Sequence, residues 1–339
     1  MNYKKNHYVP ESYLKSFAVV HTGDRNPMLW VYDKEDRKPR KQSPKNTAAI
    51  NDLYKLSASG LPSYALEIAF SKQESSVSPI LSRWREPGAV PNISDIREVA
   101  YFVALLYLRN PKTAKWFEAI SEVVAVERAK SLARDNAQFE KFWEALVAEG
   151  SPSSKALTKE ELREMVLNFD EHFTVKVDPK YATFSPLAHA DAIYNELTKM
   201  YWCLCTGPEE WNFLTSDSPV VVRFRKGNGV AFGGGFGHLT AQVTFPISPR
   251  VCVYLSRNHR WKAVPVDSTF VKNANRRTAI NAERYVFASQ IIEGIEKLVK
   301  KYSFTRKQPR LDKNEVIENM RARAMRRKLP ITFTRLATV

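Results

Sequence analysis

The pattern of apolar residues changes near Pro186, and this change favours folds that keep helices and strands in separate segments. Before Pro186, apolar residues recur at helical spacing in residues 66–84, 93–107 and 113–148. After Pro186, turn residues separate short apolar runs of strand length. These runs are residues 200–205, 213–215, 219–224, 239–245 and 251–255. The pattern predicts an α+β fold, in which a helix-rich N-terminal half packs with a mainly antiparallel sheet from the C-terminal half.

Shorter elements are predicted from local signals. Residues 28–33 and 48–55 have the apolar character of strands and are joined by a basic loop at residues 37–45. Thr158 and Glu161 have the spacing of a capping box, which predicts a helix from there to about residue 169. Further helices are predicted at residues 187–198, 268–282 and 290–301.

The length of 339 residues allows one large domain or two modest ones. We predict a single α+β domain over residues 1–302, with a sub-boundary near residues 150–155, where a Gly-Ser-Pro-Ser-Ser linker lies. Residues 303–339 are predicted to be a basic C-terminal tail, with an amphipathic helix at residues 312–328. This tail could bind nucleic acid or dock onto a protein partner. Its candidate nucleic-acid-binding residues are Arg321, Arg323, Arg326, Arg327 and Lys328.

The chain carries 52 Lys and Arg residues against 36 Asp and Glu residues, a formal net charge of +16. A surplus of this size favours an acidic partner. We expect DNA or RNA first and an anionic membrane surface second. The alternative is a highly soluble basic protein that has no polyanionic partner.

The sequence predicts a soluble, cytoplasmic protein. The longest apolar run, residues 99–108, is about half as long as a membrane span and is predicted to be a buried helix. The N-terminus lacks the apolar core and cleavage site of a signal peptide. Cys203, Cys205 and Cys252 have no zinc or redox spacing, and an odd number of cysteines fits a reducing compartment.

The N-terminal segment combines a histidine, a proline and three aromatic residues within eleven positions. His7-Tyr-Val-Pro10 is followed by Tyr13-Leu14 and Phe17. With the later motifs, this segment resembles the domain of unknown function 4238 family over most of the chain. That family implies no activity, fold or cofactor. One departure is Ser218, where the family pattern has asparagine. The other matching positions are Lys45, Asn46, Asp52, Leu53, Tyr54, Glu67, Glu74, Arg109, Pro111 and residues 213–220, 244–249 and 273–288.

Polar residues within these motifs predict a catalytic site. Glu67 and Glu74 are seven residues apart, so they lie on the same face of a helix. Together with Asp217, they are predicted to hold Mg²⁺ or Mn²⁺, with His7 beside the metal. Such a cation could activate water against a phosphodiester, and Arg109 would bind the phosphate. This arrangement predicts a divalent-metal-dependent nuclease.

Each of these residues also has a structural interpretation. Glu67 and Glu74 fit a solvated helix face, and Asp217 fits a turn. Arg109 could cap a helix C-terminus, and His7 could bind a carbonyl group in the core. The alternative to a nuclease is therefore a non-enzymatic nucleic-acid-binding or protein-interaction protein.

Other chemistries are not supported by the sequence. The remaining histidines have no zinc-binding spacing, and no Gly-x-Ser-x-Gly elbow is present. The six glycines in residues 227–237 are followed by neither a Walker lysine nor a helix, so this segment is predicted to be a loop and not a phosphate cradle.

Overall fold

The computed structural model describes residues 5–36, 38–55, 64–226, 229–232, 235–258, 260–292, 294–303 and 331–335. These residues belong to two compact units. The first unit takes its residues from Met1–Thr113 and Pro186–Lys307, and the second from Ala114–Ser185 and Gln308–Val339. Neither boundary between the units falls near residues 150–155, which lie inside the second unit.

The helices are numbered in chain order within the described ranges. They are α1 (Glu11–Leu14), α2 (Ala65–Trp84), α3 (Ile93–Leu108), α4 (Pro111–Arg134), α5 (Asn136–Ala148), α6 (Pro152–Ala156), α7 (Lys159–Leu167), α8 (Phe169–His172), α9 (Pro179–Phe184), α10 (Ala190–Thr198), α11 (Ser268–Asn281) and α12 (Ile295–Lys301).

The strands are numbered in the same way. They are β1 (Lys5–His7), β2 (Leu29–Asp33), β3 (Arg40–Gln42), β4 (Ala49–Asn51), β5 (Phe173–Val177), β6 (Tyr201–Thr206), β7 (Thr215–Ser216), β8 (Val221–Lys226), β9 (Gly229–Phe232), β10 (Gln242–Pro246), β11 (Val251–Ser256), β12 (Ala263–Pro265), β13 (Tyr285–Ala288) and β14 (Ile331–Arg335).

The largest sheet lies in the first unit and has six strands in the order β12-β6-β11-β10-β8-β9. All its pairs are antiparallel except β12 with β6. Its central strands are almost continuously buried and rich in Val, Leu, Phe and Cys, as expected for strands covered on both faces. The predicted α+β class, with a mainly antiparallel sheet in the C-terminal half, is confirmed.

A second sheet in the first unit combines strands from distant parts of the chain. Its order is β3-β2-β13-β7, so β2 from the N-terminal half pairs with β3 on one side and with β13 from the C-terminal half on the other. Helix α11 has apolar contacts on two sides. Val271 and Ala274 pack with the cysteines of the six-stranded sheet, whereas Ala279 and Ala282 pack with Tyr32 and Val286 of the four-stranded sheet.

Helices α2 and α3 pack against each other beside these sheets. The side chain of Asn92 caps α3 by accepting a hydrogen bond from the backbone of Asp95. Asp95 in turn forms an ion pair of 2.8 Å with Arg83 near the end of α2. The cap and the ion pair hold the start of α3 against α2.

The second unit is helical. Its core contains Ala133, Phe139 and Leu162 from α4, α5 and α7. The predicted capping box of α7 is present, because Thr158 and Glu161 bond each other's backbone. Strand β5 pairs with β14 in an antiparallel two-stranded sheet.

Several predicted boundaries are wrong in detail. The linker near residue 150 contains the short helix α6, which begins at a proline, a residue preformed for the first helical turn. The predicted strand at residues 48–55 shrinks to β4, because the backbone takes positive φ angles at Ala48 and Asp52. The predicted helix at residues 290–301 begins later, after Gly294. Of the predicted tail, only residue 303 and β14 are described.

Tyr13 connects the N-terminal segment to the six-stranded sheet. Its ring stacks on Phe245 at 5.3 Å, and its hydroxyl donates to the Pro246 carbonyl at 2.6 Å and lies 2.7 Å from Thr215 Oγ1. Because Tyr13 is 1% exposed, water cannot replace these bonds. We therefore expect Tyr13→Phe to lower the free energy of unfolding by about 1–2 kcal/mol.

The change should be measured as a shift of the urea midpoint. Tyr201→Phe is the matched control, because Tyr201 is 41% exposed and its hydroxyl can bond to water. Equal midpoints for the two variants would contradict the role assigned to the Tyr13 hydroxyl.

Candidate functional site

Arg109 is the charged residue at the centre of the candidate site. It directly follows α3, and its side chain is 2% exposed. Its Nη1 lies 2.8 Å from Oε1 of Glu74, and its Cζ lies 5.0 Å from the centre of the Phe70 ring. Because a buried charge is costly without a partner, α2 stabilises Arg109 twice, with a carboxylate and with an aromatic face.

The guanidinium group of Arg109 is only partly used by the protein. Its Nε and Nη2 are buried and have no hydrogen-bond partner among the described residues. Oε2 of Glu67 is likewise buried and without a partner in those residues. Leaving a buried polar atom unpaired costs about 1–3 kcal/mol. The site therefore offers two unused donors and one unused acceptor.

Glu67 lies two helical turns before Glu74 on α2. Burial raises the pKa of Glu67, and the nearby negative charge of Glu74 raises it further. Arg109 and a hydrogen bond from Asn6 act in the opposite direction. Glu67 therefore holds its proton to a higher pH than an ordinary glutamate, as general acids do.

His7 lies on β1 with its Nε2 3.1 Å from the Lys45 carbonyl oxygen. A carbonyl oxygen only accepts hydrogen bonds, so Nε2 donates and the lone pair of the neutral ring is on Nδ1. Burial lowers the pKa of His7, with a smaller contribution from Lys5, whereas the Lys45 carbonyl, Glu11 and Glu74 raise it. His7 is therefore a candidate general base.

Two residues that were not predicted as site residues support this cluster. Tyr54 is fully buried and donates from its hydroxyl to the Arg109 carbonyl at 2.9 Å. Asn6 accepts a bond from the Tyr54 backbone at 3.3 Å and also bonds Glu67. Tyr54 lies in one of the motifs that resemble the family, and this is the sequence feature by which it could have been found. Asn6 directly precedes such a motif and had no signal of its own.

Strand β4 holds β1 in place between two unusual backbone positions. Ala48 and Asp52, which flank β4, have φ angles of 52° and 55°. Residues other than glycine rarely adopt this conformation, and each instance costs about 1–3 kcal/mol. The Ala48 carbonyl accepts a bond from the Tyr8 backbone at 3.0 Å, next to His7. The strained positions therefore adjoin the strand that presents His7.

Asp217 makes the backbone hydrogen bonds of its structural interpretation as a turn residue. Its carboxylate accepts backbone hydrogen bonds from Glu283, Arg284 and Tyr285, at 2.7–2.8 Å. Asp217 is 3% exposed. Burial raises the pKa of this carboxyl group, and the three backbone donors act in the opposite direction. Both carboxylate oxygens are thus used to hold the start of β13.

The three predicted metal ligands are therefore not grouped around one position. Within the ranges that the structure describes, no three or more His, Cys, Asp or Glu side chains are grouped to hold a metal ion. Glu67, Glu74 and Asp217 are all described, and Asp217 is occupied by backbone N–H groups. Binding of Mg²⁺ or Mn²⁺ in some other arrangement stays a prediction.

A polar network nonetheless connects Asp217 to Arg109. The side-chain amide of Asn110, the residue after Arg109, donates to the Asp217 carbonyl, and Asn110 Oδ1 accepts from the Ser218 hydroxyl at 3.2 Å. Asn281 at the end of α11 donates to the Ser218 carbonyl at 2.9 Å and accepts from Lys112. Asp217 thus helps to position Arg109 through the backbone.

The structure brings together four of the five predicted catalytic residues. His7, Glu67, Glu74 and Arg109 interact electrostatically in one cluster, and Asp217 joins them only through Asn110. The five predicted nucleic-acid-binding residues lie outside the described residues, so the nucleic-acid and protein partners of the tail stay predictions. Those residues are Arg321, Arg323, Arg326, Arg327 and Lys328.

Comparison with known proteins identifies the family. The family described as "Protein of unknown function (DUF4238)" matches residues 5–290. The chain belongs to this family. The match covers every residue of the cluster and confirms the predicted resemblance. No match was found among curated proteins or among solved structures. Of the helices described, none combines the length and the apolar character that a membrane crossing requires.

The structural role of Asp217 can be tested by Asp217→Asn. The substitution replaces one acceptor oxygen by an NH₂ group that faces backbone donors, so we expect the free energy of unfolding to fall by about 2–4 kcal/mol. The shift of the urea midpoint measures this loss. Asp52→Asn is the control, because Asp52 is exposed and asparagine tolerates a positive φ. An unchanged midpoint for Asp217→Asn would contradict the structural role.

Proposed function

We propose that the chain binds a phosphate group of a nucleic acid at Arg109 and cleaves the phosphodiester bond with His7 and Glu67. The observation that carries this proposal is the half-used guanidinium of Arg109. Its Nε and Nη2 have no partner among the described residues, although the side chain is buried.

Arginine is suited to phosphate because neighbouring N–H groups can bind two phosphate oxygens at once. In Arg109, Nη1 is held by Glu74, which fixes the plane of the guanidinium. The remaining pair, Nε and Nη2, forms the edge that binds phosphate bidentately. A bound phosphate would satisfy both donors and remove the cost of leaving them unpaired.

The acid and the base follow from the two pKa shifts. His7 Nδ1 takes a proton from water, and the resulting hydroxide attacks phosphorus. Glu67, in its protonated form, gives its proton to the leaving oxygen as the bond from phosphorus to that oxygen breaks. Arg109 stabilises the negative charge that develops on the phosphate oxygens.

The choice of nucleic acid as substrate is supported by charge. The net charge of +16 attracts polyanions over long distances. Lys5 lies near His7, and its Nζ bonds Asn46 at 2.6 Å. Positive charge beside the base would hold the strand that is being cut.

The proposal also includes a test of whether a divalent cation assists the cleavage. Mg²⁺ keeps several waters and needs only one or two protein carboxylates beside substrate phosphates. Because Glu67 is the proton donor in this proposal, Glu74 on the same face of α2 is the carboxylate of the cluster that would bind such a cation. Assays with and without Mg²⁺ or Mn²⁺ test this variable.

The cytoplasmic location is proposed on the state of the cysteines. Cys203, Cys205 and Cys252 are all free and buried. Free thiols are typical of proteins from reducing compartments.

The decisive variant is Glu67→Gln, which keeps the size of the side chain and removes its proton-donating carboxyl group. We expect cleavage of labelled single- or double-stranded DNA or RNA to fall by about 10²–10⁴-fold, the usual contribution of a general acid. The control is Glu98→Gln on α3, where the carboxylate is exposed. Each assay is run with Mg²⁺, with Mn²⁺ and with a chelator.

The outcomes separate the two functions left open by the sequence. Binding that weakens steeply with salt, without cleavage in any condition, would establish the non-enzymatic alternative. Equal cleavage by wild type and Glu67→Gln would remove Glu67 from the mechanism. Absence of both binding and cleavage would overturn the proposal.

The pH profile gives a second test. His7 must be unprotonated, and its pKa is lowered from 6.5; Glu67 must be protonated, and its pKa is raised from 4.5. We therefore expect a bell-shaped profile of kcat/KM, with an acid limb set by a His7 pKa below 6.5 and an alkaline limb set by a Glu67 pKa above 4.5. Any residual activity of Glu67→Gln should lose the alkaline limb, and that of His7→Gln should lose the acid limb. A profile unchanged in both variants would contradict these roles.

A further inference from the structure

One face of the six-stranded sheet carries polar residues away from the Arg109 cluster. In the register of the sheet, Thr244 pairs with Tyr254 on one side and with Val221 on the other, and Gln242 pairs with Arg223. Directly paired residues lie on the same face of a sheet, as do residues two apart on one strand. Arg223, Thr244 and Tyr254 therefore lie on the same face and within one or two strands of each other.

Helix α11 packs on this same face and adds a second arginine. Val271 and Ala274 contact the sheet cysteines, and Phe270 lies 5.8 Å from the Tyr254 ring. Arg277 follows Ala274 by three residues, so it lies on the side of α11 that faces the sheet. The structure thus places Arg277 near Tyr254 and Arg223.

No carboxylate among the described residues is a cause of the pKa shift of Arg277. The groups that act electrostatically on Arg277 are Arg223, Tyr254 and Cys252, and none of them is a carboxylate. Burial lowers the pKa of Arg277, and repulsion by Arg223 lowers it further. Both guanidinium groups also act on Tyr254. Two arginines that are half-buried on one face and lack a carboxylate are typical of an anion site.

A buried hydroxyl group on the same face is a separate indication of a ligand. Thr244 is 1% exposed, and its Oγ1 has no hydrogen-bond partner in the described residues. Thr278, next to Arg277, is fully buried, and its Oγ1 is also without a partner there. Hydroxyl groups and arginines together are the usual donors to phosphate.

We propose that Arg223, Arg277 and Thr244 form a binding site for a phosphate group on the face of the six-stranded sheet. The phosphate would neutralise the repulsion between the two guanidinium groups and accept the hydroxyl proton of Thr244. This site shares no residue with the Arg109 cluster and does not depend on the proposed nuclease activity. Its ligand is inorganic phosphate or the phosphate of a mononucleotide.

The test is thermal unfolding of the full chain in inorganic phosphate against sodium chloride of equal ionic strength. We expect 10 mM phosphate to raise the Tm of wild type by about 2 °C or more, because a ligand that binds only the folded state stabilises it. Arg277→Gln and Arg223→Gln should each lose this rise. Without phosphate, Arg277→Gln should have at least the Tm of wild type, because the repulsion is gone.

Arg276→Gln is the matched control, because Arg276 is the neighbouring residue and is exposed, with its Nε bonded to Tyr302. It should keep the phosphate response. AMP run in parallel distinguishes the ligand sources. If AMP raises the Tm more than inorganic phosphate does, and Arg277→Gln loses this effect, the site binds nucleotides. If the two ligands raise the Tm equally, the site binds free phosphate. No response of wild type, or an equal response of wild type and both arginine variants, would overturn the proposal.

Discussion

The three backbone hydrogen bonds accepted by Asp217 are the constraint on which much of the first unit depends. They bind the turn after β7 to the residues that begin β13, across a separation of more than sixty residues. Because β13 lies between β2 and β7, the same bonds help to hold N-terminal and C-terminal strands in one sheet. A carboxylate serves this purpose well, since its two oxygens accept several N–H groups without a protein cation.

The same turn determines where Arg109 lies. Asn110 bonds the Asp217 carbonyl and Ser218, while Tyr54 holds the Arg109 carbonyl from the other side. The backbone of Arg109 is thus held on both sides at the end of α3. It is kept in an apolar environment beside Glu74 and Phe70. The turn that contains the structural carboxylate of Asp217 thus supports the charged side chain of Arg109.

Local patterns predicted the helices and the main strands, because apolar periodicity is a property of neighbouring residues. Glu67 and Glu74 were also placed correctly on one face of α2, for the same reason. The structural interpretation of Asp217 as a turn residue was given from the sequence, but its partners could not be named, because distant backbone groups leave no pattern in the sequence. An aspartate in a turn has the same local signal whether it binds a metal or the backbone. The support given by Asn6 likewise required the pairing of β1 with β4 to be known.

Burial is the largest cause of the pKa shifts of both His7 and Glu67. Removing water disfavours the charged form of each group, so the same cause lowers the pKa of His7 and raises that of Glu67. The neutral form of each side chain is therefore favoured relative to an ordinary glutamate or histidine, and Glu74 is paired with Arg109. The proposed phosphate would meet the two Arg109 nitrogens that have no partner among the described residues, and a protonated Glu67 would not repel it. In the reaction proposed above, the negative charge of a bound phosphate would raise the pKa of Glu67 further and so favour the protonated form that the proposal assigns to it.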